Sequence, residues 1–544
     1  MKRVALVALA IAQFVMVLDQ SVMNVSISQL VADFDTTVTT IQAIITLYCL
    51  VMAMLMLTGG KIGDIIGRRR AFVIGLVIYS AGSALTAVSQ SVLMLALGWS
   101  VLEGIGAALV LPALAALIAG NFEGASRRTA YAVIGGVAGA GIAIGPILGG
   151  WATTELSWRV VFAGEVVLVA LILVLSPKID DAPRSGPAPR LDLVGAVLSA
   201  VGLGAMVLGV LQSTSWGFIR PTGAPFEVLG FSPAVFLTAG GALLIWGFVE
   251  WERWREQRGL DPLVHVGLFG IRPLRAGLVG LLTQNLILMG VFFVVPLYLQ
   301  LVIGLDALHT GLKMLPISIT MFLCSAAGSK LSARFSVRRI IRVGLLTAVL
   351  AIFLLLGTID PQLDDVGFAV AMAVLGIGMG LIVSQLGNVV QSSVDASGRG
   401  EAGGLQYTGQ QLGSSFGVAL IGAVVLVGLT GAFQSQVAAD DRISAEAAQQ
   451  VSVATGTGID FVASDDVGAA AREAGLDDAT VEAIVDDYEQ AQLNALEVGL
   501  LVAALLALAS LISTRNLPGE VPARSDDSEE QPPEPTDTPV STVS

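Results

Sequence analysis

The chain has 544 residues, 54% of them apolar and 13% charged, with a mean hydropathy of +0.80. That composition excludes a soluble globular protein and leaves an all-α polytopic membrane protein, in which apolar stretches of about 20 residues each cross ~30 Å of hydrocarbon. The net charge of −14 is concentrated: residues 433–494 carry thirteen acids and two bases, residues 515–544 seven acids and two bases, and the rest nets +2, so nothing points to nucleic acid as a partner.

Met1-Lys2-Arg3 opens an apolar run that passes Asp19 without a small-residue cleavage site, so no cleavable signal peptide is expected and the first helix stays in the lipid bilayer. Fourteen helical spans are predicted, at 4–30, 40–60, 71–90, 92–118, 130–151, 159–176, 191–212, 234–250, 275–299, 310–331, 341–358, 367–392, 404–431 and 495–514. An even number puts both termini on one side. Twenty-four of the twenty-nine Lys and Arg residues fall in the amino end, the alternate loops and the tail, which makes that side the cytoplasm. Residues 433–494 are predicted as an extracytoplasmic acidic helical loop, with Ser464-Asp465-Asp466 before an Ala-rich run and Gly475 after it. Residues 515–544, rich in Pro, Glu, Asp, Ser and Thr, are predicted as a disordered cytoplasmic tail.

Taken in chain order, few side chains within the spans carry chemistry. Helix 1 reads Leu18-Asp19-Gln20-Ser21-Val22-Met23-Asn24-Val25, with Asp19 fifteen residues into the span. An ionised acid at a helix centre costs ~2.5–3.5 kcal/mol on insertion scales, which marks Asp19 as functional unless water, Ser21 or Asn24 satisfies it near the interface. The loop Gly59–Arg70, GGKIGDIIGRRR, places Asp64 beside Arg68, Arg69 and Arg70, where arginines anchor the inner surface. It has an echo 269 residues later, from Gly328-Ser329-Lys330 to Arg338-Arg339, with Ala333 in place of the acid. Two parallel halves are implied, far enough apart to leave room for two inserted helices. Helix 4 carries Glu103 near mid-membrane, within Leu95–Ala108. There a carboxyl group either holds a proton or a cationic substrate in turn, or donates a hydrogen bond in its neutral form. Helix 5 reads GIAIGPILGG from Gly141 to Gly150. Gly141, Gly145 and Gly149 share one face at four-residue spacing, and Pro146 interrupts the backbone ladder, so another helix can approach closely. Helix 6 begins Trp158-Arg159-Val160-Val161-Phe162 and brings Glu165, a candidate for substrate contact or an internal hydrogen bond.

In the second half the polar residues within spans are mostly neutral: Gln284, Asn285, Gln385, Asn388, Gln406, Gln410 and Gln411. Such amides line a water path or act as interhelical glue worth ~0.6 kcal/mol each. Lys313 is expected to snorkel. Cys49 and Cys324 lie in spans, and His265 and His309 in or near loops without ligand partners, so neither a disulfide nor a metal site nor a cofactor is expected. No GxxxxGK[ST] loop is present to power the protein with ATP.

Together these motifs resemble the major facilitator superfamily, and within it the fourteen-helix drug:proton antiporters. The helix 1 stretch is similar to L-D-x-T-x-x-N-V, the 59–70 loop to the superfamily's most recognisable loop, and Gly141–Gly150 to the fifth-helix antiporter signature. In helix 4 this chain departs from R-xx-Q-G-x-G-A-A, with Ser100 in the arginine's place and Glu103 in the glutamine's; in helix 6, Glu165 stands where asparagine is usual and Val167 where proline is. The resemblance implies a six-helix half at 1–176, two inserted helices and linkers at 177–274, and a second half at 275–514. It implies proton and substrate binding at Asp19, Glu103, Glu165 and Asn24. Gating falls to Asp64, which meets the amino end of helix 13 near Gly403-Gly404, and to Arg68, Arg69, Gly141, Gly145, Pro146 and Gly149. The expected activity is not enzymatic: it is export of hydrophobic, cationic drugs or toxic small molecules across the cytoplasmic (inner) membrane in exchange for protons, by a monomer. The alternatives are a dedicated exporter of one endogenous product and a non-transporting membrane scaffold.

Overall fold

Long uncharged runs fold as helices here because, away from water, a helix satisfies its backbone N–H and C=O groups within its own segment. The computed structural model describes residues 2–519 except 123, 182–189, 222–223, 333, 395–398 and 457–458. The first half comprises α1 (Lys2–Val25), α2 (Val38–Ile66), α3 (Arg68–Ala87), α4 (the consecutive segments Val92–Leu95, Ala96–Glu103 and Gly104–Asn121), α5 (Gly124–Glu155) and α6 (Arg159–Leu175). Then come α7 (Leu193–Leu211) and α8 (Pro233–Gln257), followed by α9 (Arg272–Val302), α10 (Ala307–Ser332), α11 (Val337–Leu356), α12 (Asp365–Ser392), α13 (Arg399–Ala439) and α14 (Asp478–Ser513). Among the described residues, thirteen helices are long and apolar enough to cross a membrane. The 32-residue α5 stands in the remaining place in the predicted order.

Within the first half α1 packs on α5 and α6, α2 on α4, and α3 on α4 and α6; within the second, α9 packs on α13, and α12 on α10 and α11. The inserted pair α7–α8 lies outside, with α7 against both α2 and α13. The halves meet along α5–α10 and α2–α13. Among the described residues, direct hydrogen bonds between the halves join helix segments remote from the amino terminus. Gln42 Nε2 donates to the Val418 carbonyl (2.9 Å), Ser415 Oγ to the Thr46 carbonyl (3.2 Å), Gln300 Nε2 to the Val25 carbonyl (2.9 Å) and the Leu308 N–H to Thr154 Oγ1 (3.1 Å). The other face, which carries the amino terminus, holds a small cleft lined by Leu57, Lys61, Asp64, Arg68, Glu401 and Gly404.

Several span boundaries differ from the sequence reading, among them those of the first span and of the two spans that flank the acidic segment. The first span divides at Ser26, whose hydroxyl donates to the Val22 carbonyl (3.0 Å) and bonds Thr153 (2.8 Å); a short helix Ile27–Phe34 follows. A serine hydroxyl competing for the preceding turn's carbonyl loosens a helix at that point. At the other end, α13 runs on to Ala439 and α14 begins at Asp478. Helix propensity in this Ala-, Gln- and Glu-rich stretch carries the helices past the apolar spans. Two short helices, Ala445–Ala454 and Ser464–Glu473, fill the interval, gathered on buried Phe433, Phe461 and Tyr488. Thr39 Oγ1, at the start of α2, donates to Asp460 Oδ1 (2.9 Å) and ties this acidic cap to the first half. Residues 520–544 of the predicted tail lie outside the described residues. Residues 515–519 pack on α11, where the Arg338 guanidinium donates to the Leu517 carbonyl.

Candidate functional site

Asp19 of α1, Glu103 of α4 and Glu165 of α6 converge inside the first half. All three are buried, and one carboxylate oxygen from each lies within 4.8 Å of the other two. Local backbone makes this possible. The segment Ala96–Glu103 of α4 is π-helical, a wider turn that is frequent at functional sites. It buries Trp99, Ser100 and Glu103 together, while Ser100 Oγ ties it to α2 through the Ile44 carbonyl (2.8 Å). On the facing α3, Gly82 provides the room: a Cβ there would lie 2.6 Å from both Glu103 Cγ and the Gly98 carbonyl oxygen.

Each acid has one oxygen held and one left over. Trp99 Nε1 donates to Asp19 Oδ1 (2.7 Å), Thr86 Oγ1 to Glu103 Oε1 (3.3 Å), and Tyr79 Oη and Ser83 Oγ to Glu165 Oε2 (3.0 and 3.2 Å). Asp19 Oδ2, Glu103 Oε2 and Glu165 Oε1 are buried without a hydrogen-bond partner. The buried Tyr48 ring stacks on Trp99, with centroids 4.6 Å apart and planes at 9°, and its hydroxyl also lacks a partner at hydrogen-bond distance. No lysine, arginine or histidine pairs with the three acids among the described residues. With all three ionised, each pair would repel by roughly 3.5 kcal/mol at 4.8 Å and an effective dielectric constant near 20. The cluster therefore requires positive charge, as protons or as a bound cation.

The fifth-helix glycines hold the helix that carries Asp19. A Cβ at Gly145 would lie 2.3 Å from Ser21 Cβ, while Gly141 faces Val17 and Gly149 faces Val22. On its other side α5 meets the second half, where a Cβ at Gly311 of α10 would lie 2.1 Å from the Pro146 carbonyl oxygen. Asn24 stays outside the triad's hydrogen bonds: its Nδ2 donates to the Gln20 carbonyl one turn back (2.7 Å) and its Oδ1 is unpartnered. Gln20, next to Asp19, reaches Gln411 of α13 (3.4 Å).

At the amino-terminal face Asp64 pairs with Arg68 (3.1 Å). Arg69 donates from its guanidinium to the Ile179 carbonyl (3.3 Å) and from its backbone N–H to Asp181 Oδ1 (3.4 Å). The amino end of α13 shares the cleft with Asp64, through Glu401 and Gly404, but Glu401 bonds His265 (2.8 Å). The linker after α8 also accepts from Lys61 Nζ at the Pro262 carbonyl (2.8 Å), so it touches both halves. At the opposite face Arg159 pairs with Asp33 (2.9 Å), donates to the Ser89 carbonyl and lies 4.4 Å from the Trp158 ring. Partial burial of Asp33 is outweighed by hydrogen bonds from Gln29, Trp158 and Arg159, which hold its carboxyl below the usual range.

Sequence reasoning named the three acids and missed their partners. Tyr79, Ser83 and Thr86 form a polar stripe at i, i+4, i+7 on α3, a signal present in the sequence.

Two helical halves, joined on one face and cleft on the other, with acids buried in the first half without counter-ions, fit a membrane transporter. The Major Facilitator Superfamily profile matches residues 9–418, and the chain belongs to that superfamily. It is 28% identical over 508 residues to the multidrug efflux pump LfrA of Mycolicibacterium smegmatis, covering 93% of this chain and 94% of that one. It is 32% identical to the puromycin resistance protein pur8 of Streptomyces alboniger, covering 79% and 82%. The fold is similar to that of an inward-facing bacterial homologue of the human lysosomal transporter Spinster, at a TM-score of 0.61 and 14% identity over 95% of this chain and 97% of that one.

Proposed function

We propose that this protein exports hydrophobic, cationic small molecules across the cytoplasmic membrane in exchange for protons. The observation that carries the reading is the triad: three buried carboxyl groups, each with one oxygen unpartnered and no basic residue to neutralise them. Protons or a cationic cargo neutralise the same carboxylates, so binding one displaces the other. A membrane potential of 100 mV contributes ~2.3 kcal/mol for each charge moved.

The excess of Lys and Arg in the amino end and alternate loops assigns the amino-terminal face, and both termini, to the cytoplasm. In that orientation the cleft between Asp64 and Glu401 opens inward. Residues 1–176 and 275–514 are the rocking halves, with 177–274 as the insert. Cargo enters from the cytoplasm, the halves rock, and protons from outside reset the triad.

The likeness to pur8, a resistance protein named for one antibiotic, favours a second reading: export of one endogenous product through the same machinery. In everted vesicles the protein is expected to pump a cationic dye until an uncoupler is added, and Glu103→Gln to abolish that pumping while the protein still folds. Full pumping by Glu103→Gln removes the triad from the mechanism. A substrate panel separates broad from dedicated export.

A further inference from the structure

The triad's donor set suits a ligand other than a proton or an organic cation. All its donors are hard oxygens: three carboxylates, with the Tyr48 hydroxyl in the same buried neighbourhood, on a ring stacked against the Trp99 that bonds Asp19. Three oxygens no more than 4.8 Å apart lie within about 2.8 Å of a common centre, against 2.3–2.6 Å for calcium–oxygen and 2.0–2.1 Å for magnesium–oxygen bonds. A calcium-sized ion needs a contraction of a few tenths of an ångström, a magnesium ion about twice that or more. Carboxylates bind such ions through one or two oxygens, and with one oxygen of each held by a neighbouring donor these three supply three ligands.

We propose that Asp19, Glu103 and Glu165 form a binding site for one hard divalent cation of calcium size. One such ion together with one proton balances the three negative charges. Each of the three acids has a buried oxygen that neither a neighbouring donor nor solvent satisfies, and a bound cation supplies what these carboxylates lack. Trp99, Thr86, Tyr79 and Ser83 hold the opposite oxygens and so fix the orientation of the carboxylates, as the outer hydrogen bonds of metal sites do. The site contains no nitrogen or thiolate ligand, which favours calcium or manganese over zinc or copper.

The test uses the purified full-length protein in nanodiscs at neutral pH, with Mn2+ as a paramagnetic probe and free Mn2+ read by electron paramagnetic resonance. One saturable Mn2+ per chain is expected, displaced by Ca2+ at lower concentration than by Mg2+. Glu103→Gln and Glu165→Gln are each expected to weaken it by about tenfold or more. Asp465→Asn, an exposed acid of the cap, is expected to leave it unchanged. Absence of saturable binding to the unaltered protein overturns the proposal without relying on any variant's folding. Binding that survives both glutamine substitutions overturns it as well, and assigns the ion to surface acids. A protein that pumps dye but binds no Mn2+ refutes the cation site and leaves the export reading standing; saturable binding without dye efflux does the reverse.

Discussion

The packing of α5 on α1 makes a sharp prediction at Gly145. In Gly145→Ala the new methyl group would lie 2.3 Å from Ser21 Cβ and 2.9 Å from Ser21 Oγ, in a stretch of α1 where Ser21 is two residues beyond Asp19. Ordinary contact requires α1 and α5 to part by more than an ångström, and forced overpacking of this kind costs about 1–3 kcal/mol. A displacement that size moves Asp19 off the Trp99 indole, which now holds it at 2.7 Å. Proton-driven dye efflux in everted vesicles should fall at least tenfold, with a lower melting temperature for the purified protein. The structure also supplies the rescue: without the Ser21 side chain the nearest atom to the new methyl is Ser21 Cα at 3.7 Å, an ordinary distance. The double variant Gly145→Ala/Ser21→Gly should therefore recover most of the efflux. Normal efflux in Gly145→Ala, or a double variant no better than the single one, would falsify the claim that these glycines act by seating the Asp19 helix.

Trp99→Phe keeps a ring against Tyr48 but removes the N–H that Asp19 accepts, leaving another buried oxygen unpaired; a stability loss of about 1–3 kcal/mol by denaturant titration is expected, together with weaker efflux. Gly311→Ala drives a methyl group to 2.1 Å from the Pro146 carbonyl oxygen, which is backbone and cannot swing aside, so the face remote from the termini should open. Spin labels on the outer ends of α5 and α10 should then show a longer distance than in the unaltered protein, and an unchanged distance contradicts the closure assigned to that contact. The Asp33 carboxyl is held below the usual range, so its native contacts favour folding above the carboxyl's ordinary pKa and lose that contribution as pH falls through the lowered native value. The difference in melting temperature between the unaltered protein and Asp33→Asn should thus be present at pH 7 and vanish in acid; a difference that grows in acid reverses the sign of the argument.

How much of this was legible in the sequence differs by feature. The spans were, because uninterrupted apolar length is a strong signal, and each acid stood out singly because a carboxyl group in hydrocarbon needs a reason. Their convergence was not. It depends on the π-helical turn at Ala96–Glu103, which changes the direction in which Glu103 leaves α4, and on the space at Gly82, and neither follows from helical periodicity. Asn24 is divided: its Nδ2 donates to the carbonyl one turn back, which the sequence does not reveal, while its Oδ1 is buried without a partner. In the acidic segment after Gly431 the punctuation at Ser464-Asp465-Asp466 and Gly475 gave the short helix Ser464–Glu473, whereas the extension of α13 and α14 into the segment was not read.

The distribution of charge between the halves suggests why the acids are gathered rather than spread. α1, α4 and α6 bring three carboxyl groups to one point, while the buried polar side chains of the second half's spans are amides such as Gln284, Gln385 and Gln411, of which Gln411 meets α1 at Gln20. Neutral amides present no charge for the triad to pair with, so its neutralisation must come from a mobile species, which an exchanger requires and a fixed salt bridge would prevent. The same helix then transmits the change. Asp19 is followed directly by Gln20, which reaches Gln411 across the interface, and one turn of α1 around Ser21 rests on Gly145 of α5, whose neighbour Pro146 bears on Gly311. Adding or removing a cation at the triad alters the forces on α1, and α1 has close contacts to both routes into the second half. Packed interfaces of this kind shift between discrete arrangements rather than deforming continuously, so on the proposed reading a small movement at Asp19 would favour one arrangement of the halves over the other.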